Sequence, residues 1–200
     1  MGCAGSKADH AAPAPLPGAT GAAAVAGGRP RCKLVLLGDS GVGKSALVQQ
    51  QCRGTFNPDM AVTVGAAFLA HTLSLPSGVS VKFEIWDTAG QERYESLAPL
   101  YYRGATAAAI VFDVTSEKSF TRAQHWVAEL QRHASQRPLL VLVGNKTDLP
   151  AEQRRVAREA AAELADSNEM LYIETSAKTG SNVAALFELI AEHVAAPPPT

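Results

Sequence analysis

The run Gly38-Asp39-Ser40-Gly41-Val42-Gly43-Lys44-Ser45 has the spacing G-x-x-x-x-G-K-[ST], and that spacing makes a loop that cradles phosphate. Successive backbone N–H groups curl into an anion-binding nest, and the helix that follows adds the positive end of its dipole. The glycines let the backbone approach phosphate oxygens, or take positive φ, without a Cβ in the way. Lys44 is placed to reach β- and γ-phosphates, and the Ser45 hydroxyl to hold Mg²⁺. Ser40, Gly41, Val42, Gly43, Lys44, Ser45 and Ala46 are the expected phosphate-side residues. The bland alternative is an ordinary glycine-rich turn between strand and helix.

Further polar clusters follow apolar runs. In Asp87-Thr88-Ala89-Gly90-Gln91, Asp87 is expected to reach Mg²⁺ through a water. Gly90 can offer its N–H to a γ-phosphate, and Gln91 can orient an attacking water. In Asn145-Lys146-Thr147-Asp148, the Asp148 carboxylate matches the paired N1–H and 2-amino donors of guanine. Adenine would leave that carboxylate desolvated and unpaired, a mismatch that gives strong rejection. Asn145 can tie its loop to the phosphate loop, and the Lys146 stem can lie over the base. In Thr175-Ser176-Ala177-Lys178, Ser176 and Lys178 flank an Ala177 N–H expected to meet guanine O6. Phe56 is expected on the opposite side of the base. Thr63 can complete Mg²⁺ coordination when a γ-phosphate is present, which would make the segment around it a switch.

Elements must bring these residues together. Apolar periodicity predicts a strand into the phosphate loop, a helix over Gly43–Arg53 and a connection over Gly54–Val62. Strands over Val64–Leu75 and Val79–Trp86, joined by Pro76-Ser77-Gly78, read as an antiparallel hairpin. Then come strand Ala107–Asp113, helix Glu117–His133, strand Leu139–Gly144, helix Glu152–Asp166, strand Met170–Glu174 and helix Asn182–Val194. Strands alternating with helices imply an α/β fold, with a mostly parallel sheet of six strands and helices on both faces. Ligands of such sheets sit at the carboxyl ends of strands, where every polar cluster falls.

A net charge of −1 gives no ground for a nucleic-acid partner. The Arg154-Arg155 pair reads as a solvated helix face. Cys3, Cys32 and Cys52 fit neither a disulfide framework nor a zinc site, which points to a reducing compartment. No apolar run approaches the ~18 residues of a membrane span. Residues 1–30, rich in Ala, Gly and Pro, read as a flexible tail; 31–194 form the domain and 195–200 a short C-terminal tail. Met1-Gly2-Cys3-Ala4-Gly5-Ser6 matches M-G-x-x-x-[ST], the pattern for myristoylation of Gly2. One acyl chain binds membrane only marginally, and Cys3 offers a site for palmitoylation. The last residues carry no cysteine to prenylate.

The domain resembles the Ras superfamily of small GTPases, a class of P-loop NTPases. Gln91-Glu92-Arg93-Tyr94 and Tyr101-Tyr102-Arg103-Gly104-Ala105 look like the Rab family of vesicle-traffic GTPases. Thr63-Val64-Gly65-Ala66-Ala67-Phe68 and Leu97-Ala98-Pro99-Leu100-Tyr101-Tyr102 look like its endosomal "Rab five" branch. The Met-Gly-Cys start is similar to the N-acylated plant and algal offshoot of that branch. Ser40 stands where Rabs commonly place Ser, while Gln51 stands where relatives tend to have an aromatic.

The resemblance implies a GTP-hydrolysing switch that holds GTP or GDP with Mg²⁺, with Lys44, Gly90 and Gln91 as catalytic residues. Phe68, Trp86 and Tyr101 match an aromatic triad that reports nucleotide state to effectors; core packing is the other reading of these residues. Implied partners are an exchange factor, an activating protein, effectors of the tethering and fusion machinery, and a membrane. The expected location is the cytoplasmic face of endosomal membranes or the plasma membrane. No Arg lies within Gly54–Val62. Intrinsic hydrolysis is therefore expected to be slow and to depend on an Arg supplied in trans, typically worth ~10³–10⁵ in rate. The competing readings are a GTP-binding scaffold that does not cycle and a metabolic ATPase.

Overall fold

The computed structural model describes residues 29–133 and 137–196. Gly2, Cys3, nearly all of the N-terminal tail and residues 197–200 lie outside the described residues.

Six strands form one sheet: β1 (Arg31–Leu37), β2 (Ala66–Ser74), β3 (Ser80–Thr88), β4 (Ala107–Asp113), β5 (Leu139–Asn145) and β6 (Leu171–Glu174). Their order is β2-β3-β1-β4-β5-β6. Only the edge strand β2 runs antiparallel, pairing with β3 from Ala66↔Thr88 to Ser74↔Ser80; the other pairings are parallel. The helices are α1 (Lys44–Arg53), α2 (Ala98–Tyr102), α3 (Glu117–His133), α4 (Arg158–Ser167) and α5 (Val183–Ala195).

The period of two along each strand divides the core between two faces. Leu34 and Leu36 of β1, Val111 of β4 and Val143 of β5 meet Leu47 of α1 and Leu186, Phe187 and Ile190 of α5. Their neighbours Val35, Leu37, Ile110, Phe112 and Leu142 meet Ala123, Val127 and Leu130 of α3 and Ala161 of α4. All of β4 is buried, as expected for a strand covered on both faces.

Two stretches depart from the sequence expectation. The helix expected over Glu152–Asp166 is broken into a 3-10 turn, Ala151–Gln153, and α4. The cause is tertiary. The Arg155 and Val156 N–H groups both donate to the Val114 carbonyl, at 3.0 and 3.1 Å, and the Val156 side chain is buried. Arg154 is not a solvated helix residue; its guanidinium spans both carboxylate oxygens of Glu174, at 2.9 and 3.1 Å. These contacts override the local helix preference of Ala, Glu, Gln and Arg. Residues 92–102, where the sequence pattern gives no element, form a 3-10 turn over Glu92–Leu97 and then α2.

Candidate functional site

The carboxyl ends of β1, β3, β5 and β6 open onto one cleft of about 460 Å³. Ser40, Gly41, Gly43, Lys44, Ser45, Ala46, Phe56, Thr63, Gly90, Asn145, Lys146, Asp148, Ala177 and Lys178 all line it. Clusters more than a hundred residues apart in sequence thus meet at one crevice.

Gly43 has φ 100° and would place a Cβ 2.3 Å from Asn145 Nδ2, so both backbone conformation and space require glycine there. Asn145 is 2% exposed. Its Nδ2 donates to the Val42 carbonyl at 2.8 Å, and its Oδ1 accepts from Thr175 Oγ1 at 3.2 Å. Lys44 is buried, and its ammonium donates to the carbonyls of Gly38 and Asp39 at 2.9 and 2.8 Å. Burial pulls the Lys44 pKa down to about 8, against the opposing pull of Asp87 and Asp39.

Ser45 Oγ lies 2.8 Å from Thr63 Oγ1 and donates to Asp87 Oδ2 at 2.5 Å. Asp87 Oδ1 is buried without a hydrogen-bond partner. Burial raises the Asp87 pKa, with Ser45 and Lys44 opposing it. This is a compact set of hard oxygen donors with one orphaned carboxylate oxygen, and it fits Mg²⁺, which prefers carboxylates, waters and substrate phosphates. Ser45 and Thr63 would hold the ion directly and Asp87 through a water. Among the described residues no group of three or more His, Cys, Asp or Glu side chains could hold a metal ion.

Gly90 packs where a Cβ would come within 2.3 Å of the Asp39 carbonyl carbon and 2.4 Å of the Ser40 nitrogen. The segment after β3 therefore lies directly against the phosphate loop. At the other end, Asp148 accepts from Ser176 Oγ at 2.6 Å, and Lys178 lies 3.8 Å from its second oxygen.

Ala177, expected to offer its N–H to guanine O6, lines the cleft, and that N–H donates to Asn145 Oδ1 at 3.1 Å. Gln91 does not line the cleft; it is half-buried at the start of the 3-10 turn, its carbonyl accepting from the Tyr94 N–H at 3.0 Å. Val42, Asp87 and Ser176 do not line the cleft but are joined to residues that do by the bonds described. Sequence reading missed the wall formed by Asn57, Pro58, Met60, Ala61 and Val62. Only their place in the connection between phosphate loop and hairpin could have signalled it. It also missed Asp113, whose carboxylate lies 2.7 Å from the Lys146 ammonium.

The Ras family model matches residues 33–196. The chain belongs to the Ras family. As a Ras-family protein it is a GTP-binding GTPase switch. Members of the family bind GTP and GDP, typically with Mg²⁺, and work with exchange factors, activating proteins and effectors.

In this Ras-family chain the aromatic triad forms one cluster. Phe68 meets Trp86 edge-on, ring centroids 5.3 Å apart, and Trp86 meets Tyr101 at 5.7 Å. Phe68 is 55% exposed, whereas Trp86 and Tyr101 also pack against the core. Lys33 braces the cluster. Its ammonium lies 5.5 Å from the centroid of the Trp86 ring and donates to the Arg103 carbonyl at 2.6 Å.

Proposed function

We propose that this Ras-family protein is a Rab-type switch of endosomal vesicle traffic and membrane fusion, active when GTP-bound. In this reading it sits on the cytoplasmic face of endosomal membranes or the plasma membrane, held by acyl groups on Gly2 and Cys3. The observation that carries it is the contiguous Phe68–Trp86–Tyr101 surface. It joins the strand after Thr63 to the helix after Gln91, so that either segment's movement alters one exposed aromatic face. The Rab-like motifs around these residues and the Met-Gly-Cys start support the same reading.

The chain's own residues supply positioning and charge. Lys44 brings an ammonium to the β- and γ-phosphates. Gly90, with no side chain to intervene, presents its N–H to the γ-phosphate. Gln91, which directly follows the cleft-lining Gly90, orients the attacking water. Mg²⁺ when bound neutralises charge on the β- and γ-phosphate oxygens. Asp148 selects guanine, and the Phe56 ring covers the base or ribose edge. An Arg from an activating partner completes the charge stabilisation, and effectors that tether or fuse vesicles read the triad.

Single-turnover GTP hydrolysis by the full chain, beside Gln91→Leu, tests the cycle. Slow hydrolysis in the wild type, abolished in the variant, is expected. No hydrolysis in the wild type would favour a GTP-binding scaffold that does not cycle, equal non-zero rates would remove Gln91 from the catalytic set, and hydrolysis of several per second unaided would contradict dependence on a partner's Arg. Fractionation of Gly2→Ala and Cys3→Ala tests the anchor: both variants should leave the membrane pellet, and their retention there would sink the acylation. Imaging the wild type against compartment markers tests the endosomal assignment.

A further inference from the structure

At the base end of the cleft, Lys146 is one of the few described non-glycine residues with positive φ, at 70°, a conformation strained for an L-residue. Its side chain lines the cleft, and its ammonium is 2.7 Å from Asp113 Oδ2. Asp113 ends β4 directly beside Asn145 in the parallel register. Every polar atom on that residue's rim is used. Oδ1 accepts from the Thr115 N–H at 2.8 Å and the Thr115 hydroxyl at 2.7 Å, and the Asp113 N–H donates to Ser119 Oγ at 3.0 Å. The next N–H, of Val114, donates to the Asn145 carbonyl at 3.0 Å. The carboxylate is thus a fixed post, with one oxygen spent on its own turn and the other on Lys146. Asp113 is held below the usual carboxylate range: burial pushes it up, but hydrogen bonds from Lys146 and Thr115 outweigh burial. A lysine without such a post has a charged head free to seek water in several directions, so nothing pins its stem to one course.

We infer that Asp113 is a positioning residue for the guanine base: by holding the Lys146 ammonium it keeps the methylene stem in place as an apolar wall of the base pocket. This rests on the guanine-nucleotide reading of the cleft. The action is local to the base end, so it leaves the phosphate end and the guanine-selective carboxylate of Asp148 untouched.

The test is release of N-methylanthraniloyl-GDP from the full chain into excess GDP with Mg²⁺. Asp113→Ala should speed release about tenfold, the loss expected of one charge-assisted contact. Affinity for GTP should fall by the same factor. Preference for GDP over inosine diphosphate should persist. Asp113→Asn, which keeps one acceptor, should fall between wild type and Asp113→Ala. In a Lys146→Met background, Asp113→Ala should add less than about twofold, because the two residues act as one unit. Unchanged release in Asp113→Ala overturns the inference, and so does full acceleration in the Lys146→Met background. Loss of guanine preference also overturns it, since that marks collapse of the Asn145–Asp148 loop. Should Asp113→Ala not fold, the Asp113→Asn release rate decides alone. Failure of the wild type to retain the labelled GDP refutes the guanine reading itself, an outcome distinct from all of these.

Discussion

Asn145 and Val42, 103 residues apart, are joined by a 2.8 Å hydrogen bond from the Asn145 amide to the Val42 carbonyl. The same side chain accepts from Thr175 and from the Ala177 N–H. One buried amide therefore fastens the phosphate loop, the end of β5 and the loop after β6 into a single unit.

Asn145→Ala leaves three partners unsatisfied in a buried place, and each such group costs about 1–3 kcal/mol. Partial rescue by water brings the expected loss to about 2–4 kcal/mol. Urea unfolding at a fixed Mg·GDP concentration measures it. A change smaller than the scatter between replicates would show that the amide is not the fastener.

Gly43 faces that amide from the other side. Gly43→Ala combines a positive φ with a Cβ 2.3 Å from Asn145 Nδ2, so the loop or the amide must move. GDP affinity should fall by at least about tenfold, equivalent to roughly 1.4 kcal/mol. Calorimetric titration would read it, and wild-type affinity in the variant would contradict the packing described.

Glu95, in the 3-10 turn that begins after Gln91, is bound by Arg122 and, at 2.7 Å, by His125 of α3. Burial pushes its pKa up, but hydrogen bonds from Arg122 and His125 outweigh that, and its carboxyl sits below the usual range. A depressed folded pKa means stabilisation that is complete above the unfolded value, about 4.3, and lost as pH falls through the folded value. Thermal melting from about pH 6 to about pH 3 should show wild type more stable than Glu95→Gln at the upper end, with the gap closing below about pH 4. A gap that stays constant across that range would refute the assignment.

Phe68 and Phe83 differ in how much water they meet. Phe83 is fully buried, whereas Phe68 is 55% exposed. Phe83→Ala should cost about 3–5 kcal/mol; Phe68→Ala should cost under about 1 kcal/mol. Binding of the GTP-loaded protein to an effector should nonetheless drop with Phe68→Ala. Equal losses of stability in the two variants would make Phe68 a core residue instead.

The chemistry-bearing residues were legible from the sequence because their motifs are local. A phosphate loop needs consecutive residues in one turn, and Asn145 to Asp148 act within four positions of one another. The strands and most helices were legible because periods of 2 and 3.6 mark which face is buried. Pairings between distant segments were not legible. The break at Arg154–Ala157 follows from donation to Val114, and Asp113 reached Lys146 only through strand register. The Ala177 N–H went to Asn145 because the fold set those two groups side by side. By itself, then, the sequence determined which groups are available and at which strand ends they stand. The tertiary structure alone decided which of them touch, since each buried donor or acceptor must find a partner among whatever neighbours the sheet brings to it.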